Sequence, residues 1–524
     1  MKSRKRLLKI LATLGILVVA ALLFGWYKFF REVDQPEWIT ADAEKNFLYG
    51  SIGSESQAGI PYWIVVVLPR IFGDQYMPGP GGYASLGLPW EEGREFPTGF
   101  SKKTIGFDRV AFNCALCHST RYRLEENDTP TIVAAGGSNT ADIQGLLDFF
   151  SKSASDPRFN ADTILTEIDL AYRLSWLDRL LYKFLYIPMT RKQLIAQGND
   201  FAWSASRPRW GPGRDAPMNL TKFNFLKLPD DGSVDNTDFP SIWHLEVRVQ
   251  PGRVWPEEDY ALDADFHKLK IDQSKLMLMN LAGDTTSFRS VLIDSALGLQ
   301  AKNTPFFHRR MKDLEAWLRA LPPPAYPLPT DSSLVAQGKA IFEARCADCH
   351  APGQANRMGT TIPVEELGTD PERTNAWTRE AANAANQKVR EIGVERTPMS
   401  KPDRAGYTAL QLDGLWLRGP YLHNGSVPTV AALLERAACR PKVFYRGYDV
   451  LDRDNIGFVA QRCDAEPVSA PDGCTTIVSQ RCMPPDKGWR YDTSERGNDN
   501  GGHEYGSDLG GDDKRALIEY LKTI

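Results

Sequence analysis

The stretches Cys114-Ala115-Leu116-Cys117-His118 and Cys346-Ala347-Asp348-Cys349-His350 both read C-x-x-C-H, the pattern that attaches a c-type haem. On one helical turn, two thiols reach the two vinyl groups of a porphyrin, and the adjacent imidazole sits under the iron as its proximal ligand. A zinc site would want a second ligand pair at similar spacing, and a redox dithiol has no use for the trailing histidine. The chain is therefore expected to carry two covalent haems, on Cys114 and Cys117 and on Cys346 and Cys349, with His118 and His350 as proximal iron ligands.

A length of 524 residues is too great for one core and predicts two to four domains. The net charge is −4 with both signs interspersed. No basic run lies beyond the first few residues, so nucleic acid is not an expected partner.

Lys2, Arg4, Lys5, Arg6 and Lys9 precede an uncharged, mostly aliphatic run from residue 10 to 27. That run is long enough for a transmembrane helix, with Trp26 and Tyr27 at the interface and residues 1–9 held in the cytoplasm by their charge. A cleaved signal peptide would show a small-x-small site where the run gives way to Gly25-Trp26-Tyr27-Lys28-Phe29-Phe30, and none is present. The run reads as an uncleaved anchor in a bacterial cytoplasmic membrane, with the remainder in the periplasm, where c-type haems are attached. The other four cysteines, Cys439, Cys463, Cys474 and Cys482, then predict two disulfides among three pairings.

Each haem motif is followed much later by an amphipathic helix pattern, at 311–321 and at 513–522, as in a diverged duplication. In a cytochrome c fold one helix precedes the haem motif and the closing helix crosses it. The proline-rich tract Leu321-Pro322-Pro323-Pro324-Ala325-Tyr326-Pro327-Leu328-Pro329 can neither continue a helix nor fill a central strand, and marks a boundary. The expected fold is mainly α, with two cytochrome c-type haem domains at 28–325 and 326–524. Ser332-Ser333-Leu334 opens the helix that delivers Cys346. About 190 residues separate His118 from its closing helix, so the first domain holds a large insertion. Within it, 164–185 reads as an amphipathic helix and 207–243 as an ordered, irregular loop of the kind that carries sites.

What fills the sixth position of each iron decides between electron transfer and catalysis. Beyond the proximal pair the chain has His244, His267, His308, His423 and His503. Arg214 is a candidate for pairing with a haem propionate, and Tyr421 for the path between haems.

The tract Arg418-Gly419-Pro420-Tyr421-Leu422-His423-Asn424-Gly425-Ser426-Val427-Pro428-Thr429, with the two haem motifs and the domain order, resembles the bacterial di-haem cytochrome c peroxidase superfamily. A closer resemblance is to its rubber oxygenase branch, through Trp210-Gly211-Pro212-Gly213-Arg214, Phe239-Pro240-Ser241-Ile242-Trp243 and the ending Gly497-Asn498-Asp499-Asn500-Gly501-Gly502-His503-Glu504-Tyr505-Gly506. The likeness spans most of residues 40 to 524.

The resemblance implies an active first-domain haem held by His118 alone, taking oxygen or peroxide on its open face. It implies a second, electron-transfer haem held by His350 and His503, with His423 or Met399 as substitutes for the second ligand. Phe239 and Trp243 then read as an apolar distal pocket; His244 on the first iron would instead make the protein a pure electron carrier. A small periplasmic electron donor or acceptor is the implied partner. The resemblance also admits a calcium ion between the haems, which related peroxidases use, although the chain has no contiguous Asp-rich calcium loop. Rubber oxygenases are secreted whereas this chain reads as tethered, so their polymer substrate is not carried over.

Overall fold

The computed structural model describes residues 2–244, 281–285, 287–351, 357–465, 474, 479 and 481–524. His267 lies outside the described residues. Helices dominate, joined by small antiparallel sheets.

The second half is built as its sequence predicts. Helix Ser332–Arg345 starts at Asp331, whose carboxylate accepts from the amides of Ser333 and Leu334. It leads directly into the turn Ala347–His350. The closing helix Gly511–Leu521 crosses it, and Phe342 meets Tyr520 at 5.3 Å between ring centroids. The crossing point is Gly338: a Cβ there would lie 2.0 Å from the Ala516 carbonyl oxygen, so only glycine lets the two backbones come this close.

The first half departs from expectation. The element before Cys114 is a strand, Phe107–Phe112, paired in register with Phe100–Ile105. Alternating aromatic and β-branched residues with Asp108 and Arg109 favour the pleated form there. The sheet runs Glu32–Val33, Phe100–Ile105, Phe107–Phe112, Ile60–Pro61. The helix expected before the motif lies earlier, at Ala43–Tyr49, capped by Asp42. It packs on the closing helix Pro305–Ala320 through Phe47 and Trp317, 5.2 Å apart, and Arg310 donates to the Asn46 carbonyl at 2.6 Å. Residues 50–112 are thus inserted between a first-half helix and its haem motif, which the sequence pattern did not reveal.

The helix read over 164–185 is two. Ala161–Ala171 ends where Tyr172 turns extended, and Ser175 caps a new helical run made of Trp176–Leu181, a π segment Tyr182–Tyr186 and Ile187–Asp200. Apolar periodicity continues through the break, so periodicity alone does not locate it.

The N-terminal helix spans Lys2–Phe29, of which Leu8–Phe29 is long and apolar enough to cross a membrane, and its C-terminal end touches the rest of the chain through Lys28 and Phe29. A signal sequence has the same length and composition. The cysteines pair Cys439 with Cys474 and Cys463 with Cys482.

The proline tract is extended, yet the halves it separates share one core. That core joins Cys114, Trp243 and Phe307 to Trp416, Leu417 and Leu517. The tract is fastened to it by the Trp416 indole, which donates to the Pro324 carbonyl at 2.9 Å. A second core of the first half gathers Leu68, Phe72, Phe149 and Trp210.

Candidate haem-binding sites

At the first motif, Asn113 ends the strand and caps the single turn Cys114–Leu116, its side-chain oxygen accepting from Ala115 N at 2.9 Å. Its amide donates to the Gly50 carbonyl at 2.9 Å, fixing the motif to the loop after helix Ala43–Tyr49. Gly99, at φ +88°, leaves room for Leu116: a Cβ would fall 2.3 Å from the Leu116 Cα. Cys114 and Cys117 are unbridged thiols, as attachment to porphyrin vinyls requires. His118 Nδ1 donates to the Pro240 carbonyl at 2.9 Å, which leaves Nε2 with its lone pair free for a metal. Burial lowers the His118 pKa from 6.5 to about 4, so the imidazole is neutral at neutral pH.

The second motif repeats this arrangement. Cys346 and Cys349 are unbridged, and His350 Nδ1 donates to the Leu410 carbonyl at 2.6 Å. Burial again lowers the His350 pKa.

Across from His350 stands His503, with ring centroids 6.2 Å apart and planes at 47°. Two imidazoles on opposite faces of one metal, each bound at about 2 Å, have centroids about 6 Å apart. His503 is held there by its backbone. It lies at φ +47°, its N–H donates to the Leu367 carbonyl at 2.7 Å, and its own carbonyl accepts from Arg440. Arg440, almost fully buried, also donates to the Asn500 and Gly502 carbonyls at 2.6 and 2.7 Å, gathering the glycine-rich loop. Gly502 is required, since a Cβ would lie 2.3 Å from the Gly368 carbonyl carbon. The His503 Nδ1 is buried without a hydrogen-bond partner, and burial with the neighbouring His350 lowers its pKa to about 4.

The substitute ligands are placed elsewhere. Tyr407 donates its one hydroxyl proton to the Asp370 carbonyl at 2.6 Å, so the His423 Nε2 at 3.0 Å carries the proton between them and donates to the Tyr407 oxygen. A nitrogen that donates has no lone pair for iron. The two rings also stack at 4.0 Å. Met399 packs with Met218 and Trp377 in a separate small cluster. His244 points its Nδ1 at Asp413, 3.5 Å away.

Arg214, the candidate partner of a haem propionate, is held mainly by other parts of the protein. It is fully buried, and its guanidinium donates to the Trp210, Asn424 and Arg209 carbonyls, to Asn498 Oδ1 at 2.8 Å and to the Tyr491 hydroxyl at 3.2 Å. It ties the 209–214, 424 and 491–498 segments together, which engages four of its five N–H donors. Several buried guanidinium atoms lack a hydrogen bond, among them Nε of Arg310 and Nη1 of Arg373, although Arg373 already pairs through Nε with Asp235 at 3.2 Å. Tyr421 donates to the Leu415 carbonyl at 3.1 Å, which accounts for its buried phenol.

Phe239 and Trp243 also differ from their reading as distal pocket. Pro240 accepts from the Nδ1 of His118, so this segment approaches the imidazole from the side away from Nε2. Phe239 lies 6.4 Å from the His118 ring at 60°. Trp243 is fully buried between Gly136 and Gly414, where added Cβ atoms would lie 3.0 and 2.7 Å from its indole. Its Nε1 donates to the Asp413 carbonyl at 3.1 Å. Trp243 therefore joins the loop that holds His118 to the 410–414 loop that holds His350. The carbonyls of Pro240 and Leu410 were missed from sequence because backbone acceptors carry no side-chain signal. Among the described residues no group of three or more His, Cys, Asp or Glu side chains is placed to hold a metal ion.

A family model described as RoxA-like, cytochrome c-like matches residues 406–445, the tract that holds Leu410, Asp413, Tyr421, His423 and Arg440. Two proteins of Sinorhizobium fredii (strain NBRC 101917 / NGR234) are similar over part of their length, both described only as uncharacterized. Protein y4iJ is 28% identical, the match covering 37% of this chain and 39% of the relative. Protein y4iM is 31% identical, with 40% of this chain and 52% of the relative covered. The chain thus spans about half or less of the curated relatives it matches. The match over 406–445 supports a cytochrome c-like relationship, which implies c-type haem and suggests a role in haem-based oxidation–reduction or electron transfer.

His423, inside that tract, should shape the acid limb of stability. Burial, with repulsion from Arg373, lowers its pKa to about 3, so the folded protein holds it neutral where the unfolded chain binds a proton. A depressed folded pKa gives stability that is full above pH 6.5 and lost as pH falls toward 3. One such group withdraws about 2 kcal/mol between pH 6.5 and 4.5. Denaturant unfolding at those two pH values should show His423→Phe losing about that much less than the parent; equal losses would contradict the assignment.

Proposed function

We propose that the chain is a membrane-tethered di-haem oxidoreductase. One haem is carried by Cys114, Cys117 and His118 in residues 28–325, the other by Cys346, Cys349, His350 and His503 in residues 326–524. Residues 10–27 anchor it, with the haem domains in the periplasm. The haems would supply reversible one-electron chemistry, and an iron with an open position would bind oxygen or peroxide.

One observation carries this reading: the two proximal histidines have unlike surroundings. His350 faces a second imidazole at 6.2 Å. Among the described residues, the ring neighbour of His118 is a phenyl group, Phe239. Among the described residues no second imidazole stands in ring contact with His118, and that difference from His350 favours an open first iron and a closed second one. The Pro240 and Leu410 carbonyls orient both proximal imidazoles and raise their basicity. Trp243 spans the two supporting loops and gives electrons a packed, bonded route between them. A small redox protein of the periplasm is the partner such a relay would serve.

A second reading, electron transfer without substrate chemistry, is favoured by that same continuous link. The test is a pyridine haemochrome count with carbon monoxide titration of the reduced full chain. Two haems and one carbon monoxide bound per chain are expected. Two haems and no uptake would leave the electron carrier, and fewer than two haems would overturn both.

A further inference from the structure

We propose that an exposed apolar face on the insertion of the first half rests on the phospholipid bilayer, holding the haem-bearing part at a fixed orientation to the membrane. The proposal rests on reading 10–27 as an uncleaved anchor. The face consists of Leu170, Tyr172, Trp176, Leu180, Phe184 and Met189, all exposed, with Trp176 at 75% and Phe184 at 69%. Trp176, Leu180 and Phe184 are spaced by four and form one stripe.

The opposite side of the same helical run buries Tyr182, Tyr186, Ile187 and Leu194 in the core of the first half. A surface helix normally turns charge to the outside of such a core. This one carries an apolar stripe on its outer side as well, flanked by the exposed Arg179 and Lys183, and a large exposed apolar patch marks a contact surface.

The anchor decides which contact. Lys28, in the last turn of the N-terminal helix, pairs with Asp178 at 2.7 Å, inside the run that carries the stripe. Phe29 packs against the same core as Tyr182 and Tyr186, and Arg109 donates to the Phe29 carbonyl at 3.5 Å. The strand Glu32–Val33 then enters the first-half sheet at once. The anchor is thus joined to the domain with no slack, beside the exposed stripe. Where it leaves the bilayer, Trp26, Tyr27 and Phe30 are exposed as well. Tryptophan and tyrosine favour the membrane interface, and the stripe continues that belt sideways onto the domain.

The test uses the full chain in nanodiscs of phosphatidylethanolamine and phosphatidylglycerol, with p-benzoylphenylalanine placed singly at 176, 184, 16 and 392. These side chains are exposed, so the fold should tolerate the probe. Illumination and mass spectrometry should find lipid adducts at 176 and 184 in yields comparable to that at Ile16 within the anchor, and none at Ile392. Adducts at 16 alone would overturn the surface contact and leave the anchor standing. No adduct at 16 would overturn the anchor and this proposal with it. Protein adducts at 176 or 184 would assign the face to a protein partner instead.

Discussion

Reduced His503→Gly is expected to bind two molecules of carbon monoxide per chain where the parent binds one, and one low-spin ferric signal should become high-spin. The variant isolates the side chain. His503 sits at φ +47°, a conformation glycine adopts without strain, and its two backbone hydrogen bonds, to Leu367 and from Arg440, do not involve the ring. Its Nδ1 has no hydrogen-bond partner to lose. What disappears is the imidazole 6.2 Å from that of His350. Added imidazole should enter the space and restore the low-spin signal, which a general loosening of the loop would not allow. Unchanged uptake and spin state would move the second ligand to another residue and remove the main support for unlike haems.

Trp243→Ala is expected to destabilise the protein by about 3–5 kcal/mol, since removal of a fully buried indole leaves a cavity. The site has little means of closing over it, because Gly136 and Gly414 offer no side chains to fill the gap. Trp243→Phe keeps most of the ring and removes the donor to the Asp413 carbonyl, at about 1–3 kcal/mol for a buried acceptor left unpaired. Thermal melts should rank Ala well below Phe. Electron transfer between the haems, followed after rapid partial reduction, should slow in the Phe variant while haem count and carbon monoxide uptake stay unchanged. An unaltered transfer rate in a folded Phe variant would leave Trp243 as a packing residue only.

Local chemistry was legible in the chain. The C-x-x-C-H spacing is a property of one turn, and it predicted four unbridged thiols in the right places. The helix opening at Ser332 and the closing pattern read over 513–522 were legible from turn residues and periodicity, while the cap that starts the first, Asp331, was not singled out. The apolar helix Leu8–Phe29 follows from composition and length. The break at 172–175 and the strand before Cys114 were harder to read, because apolar periodicity runs through the first and cross-strand pairing decides the second.

By itself the sequence determined that two paired thiols each stand beside an imidazole at the C-x-x-C-H spacing, because covalent spacing is local and survives any fold. Tertiary structure alone set His503, rather than His423, across from His350. Both lie in glycine-rich loops, but one donates its proton to Tyr407 while Arg440 and Gly502 bring the other to His350. It also engaged Arg214 as a tie between segments and set Trp243 between the two motifs. Such contacts join residues hundreds of positions apart, often through backbone carbonyls, and only the folded chain brings those groups within bonding distance.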